Sequence, residues 1–323
     1  MGRESRKKKE SSGPGSGAGR GAAGGSQTGR PPMADPRAIE KTMSDIHRLL
    51  AEQDFTDIDE ANAFLADLMA KGGGIPAGRA ATPVEEAQDL MYEAWDATGA
   101  RRAQLARKAL AISPDCADAY VLLAEEKARN LEEARDFFAQ GVAAGERALG
   151  AEIFQEEVGH FWGIIETRPY MRTREGLAHC LWELGEREAA VGHYREMLRL
   201  NPNDNQGVRY VLLDCLLAMG RDEEAGALLA QSEGDGTAAW LYNHALWTFR
   251  QEGDSSEARR RLKEAIAENR HVPAYLLVRK HLPARLPDYM SSGGDDEAVS
   301  YATDALRNWQ ATDGALTWLA GSL

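Results

Sequence analysis

The sequence has few of the features that mark several large protein classes. Its three cysteines, Cys116, Cys180 and Cys215, are far apart in 323 residues, which argues against a disulfide framework and a zinc-binding spacing. The best apolar stretch, residues 210–219, is interrupted by Asp214 and is shorter than the ~20 residues that cross a bilayer. These absences predict a soluble, cytoplasmic protein with reduced thiols and no membrane segment.

Catalytic motifs are also scarce. The glycines at 72–74 are not followed by the lysine of a phosphate-binding loop, and no nucleophile stands in a recognisable pattern with a base. Glu156 and His160 would share one face of a helix and could bind a metal ion, but the second histidine of a HExxH site is missing. We therefore predict a non-enzyme without cofactor or metal. A metal-dependent hydrolase that uses Glu156 and His160 remains an alternative.

Positive charge is concentrated at the N-terminus. The chain has a net charge of −13, yet its first 32 residues hold seven basic and two acidic residues, so the remainder carries −18. This segment is rich in glycine and serine and has little to bury, which predicts a disordered tail. A regulatory or nucleic-acid-associated adaptor that acts through this tail is a second alternative, although such a segment is more often a solvated extension. Met33 offers an alternative translation start.

A pattern of small and bulky residues repeats through the second half of the chain. Glycines at 185, 220 and 253 are spaced by 35 and 33 residues. Each is followed five residues later by an alanine and four further on by a bulky side chain, namely Ala190 and Tyr194, Ala225 and Leu229, and Ala258 and Leu262. The order resembles the tetratricopeptide repeat, a helix–turn–helix unit of roughly 34 residues. That resemblance implies a stack of helical hairpins that binds other proteins.

Weaker helical patterns flank these repeats. Residues 36–71 predict a hairpin whose first helix has an apolar stripe and whose second begins with a capping box of Thr56, Asp57 and Glu60. Residues 145–167 predict a connection with a helical apolar stripe. The stripe of the first hairpin helix is Ile39, Met43, Ile46 and Leu50, and that of the connection is Phe154, Val158, Phe161, Trp162 and Ile165.

The predicted fold is all-α, a tetratricopeptide-type solenoid with an N-terminal helical hairpin and a C-terminal capping helix. A stack of repeats needs such a cap, because its last apolar face would otherwise meet water. The predicted segments are a basic tail (1–35), a helical hairpin (36–71), a glycine-rich linker (72–83), a tetratricopeptide-like array (84–270) and a helical cap (271–323).

The C-terminal region carries a more distinctive resemblance. It reads HVPAYLL at 271–277 and DDEAVSYA at 295–302, followed by Trp309 and GAL at 314–316. From about residue 185 to 319 the chain resembles the suppressor-of-tumorigenicity-seven family. Members of that family often carry membrane segments and have ill-defined biochemistry, so the resemblance implies the fold and names no activity.

The first helices of the repeats predict a partner-binding groove. If they line the inner side of the stack, the side chains that face the groove are rich in Trp, Tyr and Arg, the residue types common in binding hot spots. They are Arg172, Glu175, His179, Trp182, Tyr210, Asp214, Trp240, Asn243, Trp247 and Arg250.

The charge of the chain predicts the kind of partner. A body of net charge −18 favours a basic protein or peptide, and no small-molecule substrate is indicated. Two alternatives stay open for the groove. Its tryptophans can instead fill gaps between helices, and the hairpin at 36–71 can fold back and occupy the groove itself.

Overall fold

The structure is a computed structural model that describes residues 36–72, 74–232, 234–286 and 290–323. The predicted tail at 1–35 lies outside these residues. Within them the regular secondary structure is helical, which confirms the all-α prediction. The α-helices are Pro36–Ala51 (α1), Ile58–Ala70 (α2), Pro83–Asp96 (α3), Ala100–Ile112 (α4), Ala117–Lys127 (α5), Leu131–Leu149 (α6), Ile153–Glu156 (α7), Arg168–Glu183 (α8), Arg187–Leu200 (α9), Val208–Ala218 (α10), Asp222–Ala230 (α11), Ala238–Glu252 (α12), Ser256–Glu268 (α13), Val272–Leu276 (α14), Asp295–Ala311 (α15) and Ala315–Gly321 (α16).

Consecutive helices pack as hairpins, and the hairpins stack. The pairs are α3 with α4, α5 with α6, α8 with α9, α10 with α11, and α12 with α13. First helices of neighbouring pairs also touch, as α3 does with α5, α5 with α8, and α10 with α12. This arrangement confirms the helical-repeat prediction.

The turn glycines lie at the ends of the first helices, and two of them share one turn geometry. Gly185 and Gly220 have φ values of 85° and 69°, a region that costs other residues energy. The amide of Glu186 donates to the carbonyl of Leu181 at 2.8 Å, and that of Arg221 to Leu216 at 2.9 Å. These bonds belong to the Schellman motif, which ends a helix and directs the chain into the next.

The alanines that follow these glycines lie where the two helices of a repeat meet. Ala190, Ala225 and Ala258 are fully buried, and Tyr194, Leu229 and Leu262 are buried beside them. A larger side chain at an alanine position would push the helices apart, because protein interiors have no spare volume there. The packing reason for the repeat pattern is therefore confirmed.

Helices α14 to α16 cover the last repeat. The apolar face of α15 is buried: Tyr301, Ala305 and Trp309 are nearly inaccessible, and Leu306 at its edge is half-buried. The Trp309 ring lies 6.4 Å from that of Trp318 and 6.5 Å from that of Tyr242 in the last repeat. The predicted C-terminal capping helix is thus α15.

The predicted helical stripe at 145–167 is wrong. Helix α6 continues to Leu149 and ends at Gly150, whose φ is 75°. The chain then forms the short α7 and two 3₁₀ helices, Phe161–Gly163 and Ile165–Thr167. Gly159, with φ of 94°, breaks any continuous helix between them. Phe154 and Phe161 pack together with Tyr170 of α8, with the Phe154 ring 5.2 Å from that of Phe161 and 5.0 Å from that of Tyr170, whereas Val158 is exposed.

The capping box before α2 is confirmed. The Asp57 carboxylate accepts from the amide of Glu60 at 2.9 Å, and the Glu60 carboxylate accepts from the amide of Thr56 at 2.9 Å. None of the α2 residues is buried, so this helix forms from its own caps and spacing, without a core around it.

We expect the second-helix leucines of the repeats to carry much of the stability. Leu262→Ala should lower the free energy of unfolding by about 2–5 kcal/mol, because the buried side chain leaves a cavity. Chemical denaturation would measure the loss. Leu286→Ala is the matched control, since Leu286 is 51% exposed and should lose less than about 1 kcal/mol. Equal losses would contradict the assigned packing.

Candidate functional site

The first helices of the hairpins form one shared surface, called here the first-helix face. It carries Trp95 of α3, Asp118 of α5, Arg172 of α8, Asp214 of α10 and Asn243 of α12. Helix α1 packs on α3 and on the second 3₁₀ helix, and its side chains reach α8. The N-terminal half of the first-helix face is therefore covered by α1.

Helix α1 meets the array with its polar side. Glu40 is only 2% exposed, and Asp45 and Arg48 are also buried, whereas Ile39 is 53% and Met43 is 41% exposed. Of the predicted apolar stripe, Ile39 and Met43 are therefore exposed, while Ile46 and Leu50 are half-buried. The surface beneath α1 presents ionised side chains, which bind charged and not apolar groups.

At one end of α1 a guanidinium joins two buried carboxylates. Arg172 donates to both oxygens of Glu40 at 2.9 and 2.8 Å and to both oxygens of Asp118 at 2.9 and 2.6 Å. Arg168 approaches Glu40 at 3.5 Å. Burial disfavours the charged form of Arg172, but the carboxylates of Asp118 and Glu40 outweigh it and hold its pKa above the usual value.

At the other end the charges are reversed. Arg48 of α1 donates to the two oxygens of Asp89 at 2.9 and 3.0 Å and approaches Glu85 at 3.3 Å. Burial raises the pKa of Asp89, and the bond from Arg48 opposes that shift. The first-helix face thus offers an excess guanidinium at one place and two carboxylates at another.

The packing between α1 and the array is incomplete. A cavity of about 60 Å³ lies between them, bordered by Ser44 and Arg48 of α1 and by Tyr92 and Tyr170 of the array. A hollow of about 400 Å³ lies beside the apolar side of α1, next to Met43 and the second 3₁₀ helix. At neither place is α1 packed against the array as densely as side chains in a protein core.

The C-terminal half of the first-helix face is covered by α15, mainly through amide and aromatic groups. The Asp214 carboxylate accepts from the Asn243 side chain at 2.8 Å, and Asn308 of α15 donates to the Asp214 backbone carbonyl at 3.1 Å. Tyr301 donates to the Asn243 side-chain carbonyl at 2.9 Å and accepts from the Trp309 indole at 2.8 Å. Burial raises the pKa of Asp214 to about 7, although Asn243 hydrogen-bonds its carboxylate.

Two of the predicted groove residues are buried, and two others are half-buried in contacts with a neighbouring hairpin. Trp240 is 1% exposed, and Asn243 is fully buried beneath α15, so their predicted exposure is wrong. Trp247 donates its indole N–H to the Asp222 carbonyl at 2.8 Å, and Arg250 pairs with the Asp222 carboxylate at 2.9 Å. These side chains join neighbouring hairpins, because a first helix has to pack against the repeats on both sides of it.

Other predicted residues are partly covered. Arg172 lies under α1 and Asp214 under α15, as described above. Tyr210 donates to Asp235 at 2.8 Å beside the Arg209 guanidinium. Trp182 is half-buried with the Arg187 guanidinium 5.3 Å from its ring centre.

Part of the first-helix face stays open between α1 and α15. On α8, His179 and Glu183 are exposed and Glu175 is half-buried. On α10, Val211 is exposed one turn before Asp214, and on α15 Asp304 is exposed and close enough to His179 to sense its charge. We call Glu175, His179, Glu183, Val211 and Asp304 the central window.

The structure does not support the alternative metal site at Glu156 and His160. Helix α7 ends at Glu156, and His160 follows in a turn, so the two side chains do not share a helical face. Across the residues that the structure describes, no group of three or more His, Cys, Asp or Glu side chains could hold a metal ion. The three cysteines are buried and unpaired. No helix in the described ranges combines the length and apolarity that crossing a membrane would require.

The stacked hairpins and the covering α15 define the class: an all-α helical-repeat protein of the tetratricopeptide type. Residues 80–322 match the family model described as ST7 protein. The chain therefore belongs to the ST7 protein family. The resemblance that the sequence shows from about residue 185 is confirmed and extends upstream to the start of the array.

Curated relatives agree with this assignment. Suppressor of tumorigenicity 7 protein-like of Homo sapiens is 30% identical over 253 residues, which cover 71% of this chain and 44% of the relative. The Bos taurus protein of that name is 30% identical over 250 residues, 70% of this chain and 45% of the relative. Protein ST7 homolog of Drosophila melanogaster is 29% identical over 259 residues, covering 73% and 48%. The chain thus spans less than half the length of these relatives.

A solved structure has a looser similarity. It is YrrB, described as a TPR protein with an unusual peptide-binding site, and it is 22% identical with a TM-score of 0.40. The match covers 57% of this chain and 84% of YrrB. A similarity at this level supports no inference about binding by the present chain.

Sequence reasoning missed the charged residues beneath α1. Glu40, Ser44 and Arg48 follow each other at four-residue intervals, so they form a polar stripe that the sequence does contain. A polar stripe on an amphipathic helix ordinarily faces water. Only its ion pairs with Arg172 and Asp89 reveal it as the packed side.

Removal of Arg172 should be costly. Arg172→Ala would leave the buried carboxylates of Glu40 and Asp118 without their shared cation, so we expect a loss of about 3–5 kcal/mol in the free energy of unfolding, measured by chemical denaturation. Arg199→Ala is the matched control. Arg199 pairs with Glu196 at the surface, where the loss should stay below about 1 kcal/mol. A small loss in both variants would contradict the buried cluster.

The partly buried Asp214 should make the free energy of unfolding fall as pH rises. Its pKa of about 7 in the folded state exceeds the unfolded value of about 4, so the folded state binds the extra proton between these pH values. We expect Asp214→Asn to be more stable than the unmodified chain at pH 8, with the difference shrinking toward pH 4. Thermal unfolding across this range measures the difference, and a pH-independent gap would contradict the assignment.

Proposed function

We propose that this protein is a non-enzymatic interaction scaffold that binds a basic protein segment at the central window of the first-helix face. The observation that carries the proposal is the charge of the window. Glu175, Glu183 and Asp304 place three carboxylates around one histidine on a face that is otherwise covered by α1 and α15.

Two of the window carboxylates, those of Glu175 and Asp304, lose part of their hydration in the folded protein. Burial raises the pKa of Glu175, and its side-chain partner is the neutral amide of Gln206 at 2.7 Å. Partial desolvation of its carboxyl group also raises the pKa of Asp304, although the side chain as a whole is exposed, and His179 and Arg307 oppose that shift. A lysine or arginine from a partner would favour the ionised carboxylates, and the exposed Val211 would add apolar contact beside them.

The rest of the chain suits the same role. A stack of hairpins holds its first helices in a fixed arrangement, which limits the conformational entropy lost when a partner binds. The chain beyond its first 32 residues has a net charge of −18, so it attracts basic partners over a distance that salt shortens.

Capture from a native lysate at moderate salt tests the proposal. The unmodified chain should retain basic proteins that a Glu183→Lys/Asp304→Lys variant loses by at least about tenfold, because two attractive charges become repulsive. Both side chains are exposed, so the variant should fold normally, and circular dichroism would verify this.

The matched control is Glu132→Lys/Glu223→Lys. It makes the same change in net charge at exposed positions on the second helices α6 and α11. Retention by this control together with loss by the window variant would support binding at the window. Equal loss in both variants would indicate attraction to overall charge, and equal retention in both would refute the proposal.

A further inference from the structure

The surface beneath α1 has a charge pattern that specifies what can bind there. If α1 were absent, Arg168 and Arg172 at the N-terminal end of α8 would have a single neighbouring carboxylate, that of Asp118. The neighbouring part of α3 would present Glu85 and Asp89 with no cation from α1. The uncovered face would therefore require a carboxylate at one place and a guanidinium at another.

Helix α1 supplies these groups at a fixed spacing. Glu40 and Arg48 are eight residues apart, about 12 Å along a helix, and both lie on its buried side. Arg37 adds a third contact, with its guanidinium 5.0 Å from the centre of the Trp95 ring, which also has Arg172 at 5.2 Å. The ion pairs thus depend on two charges of opposite sign on one helical face, and Arg37 adds a cation–π contact beside them.

The contacts between α1 and the array stabilise the docked position of α1 only weakly. A buried ion pair stabilises little on balance, because removing both charges from water costs about as much as their attraction returns. Ile39 and Met43 of α1 lie outside the contact, Ile46 and Leu50 are only half-buried, and the cavity of about 60 Å³ beneath the helix forfeits dispersion contacts. Residues 52–82 connect α1 to the array through α2, which buries none of its residues.

We propose that α1 is an exchangeable occupant and that this half of the first-helix face binds a partner helix with the same charge pattern. The partner helix carries an acidic residue for Arg172 and, eight positions later, an arginine for Asp89. This inference extends the proposed function to the neighbouring part of the same face. Attachment of α1 to its own chain gives it an effective concentration on the order of millimolar, against which a partner has to compete.

The test uses the full chain and a labelled peptide of residues 36–51 as the probe. In a Glu40→Arg/Arg48→Glu chain the internal α1 meets like charges, so the surface should be free for the peptide. We expect saturable binding at least about tenfold tighter than to the unmodified chain, where the tethered α1 competes. Fluorescence anisotropy measures both affinities.

Three further reagents allow each outcome to be interpreted. A Glu40→Gln/Arg48→Gln chain removes the charges without creating repulsion. It replaces the Glu40→Arg/Arg48→Glu chain in the test if circular dichroism shows that the latter is unfolded. A peptide with both charges reversed should fail to bind either altered chain. A Glu52→Lys chain is the matched control, since Glu52 is exposed just beyond α1 and should leave the peptide affinity as in the unmodified chain.

Each result decides the proposal. Tight binding of the unmodified peptide to the altered chains alone supports it. Equal binding to altered and unmodified chains, equal binding of the reversed peptide, or no binding to folded altered chains would overturn it. The Glu183→Lys/Asp304→Lys variant should leave peptide binding unchanged when combined with the altered α1, so failure at the central window and failure here are distinguishable.

Discussion

The close approach of the two helices in each repeat is the constraint on which the rest of the structure depends. Ala190, Ala225 and Ala258 allow that approach, and the glycine turns just before them set the direction of the second helix. A hairpin built in this way has apolar surface on two sides, so it stacks on its neighbours. Stacking does not bury the first-helix face. The groups that cover this face therefore decide what the protein can bind.

The two covers of that face differ in their physical chemistry. Helix α15 places Tyr301 and Trp309 among buried groups and adds hydrogen bonds from Asn308, so it belongs to the core of the last repeat. Helix α1 places Glu40 and Arg48 there and leaves a cavity. Apolar burial gives a persistent contact, whereas ion pairs can be exchanged for similar ion pairs. The C-terminal cover is therefore structural and the N-terminal cover is suited to exchange.

The family match has a boundary that falls between these two covers. It includes residues 80–322 and thus the array, α15 and the array side of the ion cluster, with Asp89, Asp118 and Arg172. Helix α1 precedes it. The chain covers less than half the length of the curated relatives described above.

The sequence by itself determined the repeats, their turns and the capping helix. Glycine at 185, alanine at 190 and tyrosine at 194 act within one hairpin, and such short-range rules are readable without coordinates. Only the tertiary structure decided which groove residues stay open and which side of α1 is buried. Glu40 meets Arg172 across 132 positions, and Asn308 reaches Asp214 across 94. The charge of each side chain can be read from the sequence, but the opposite charge that it contacts depends on which distant helices pack together.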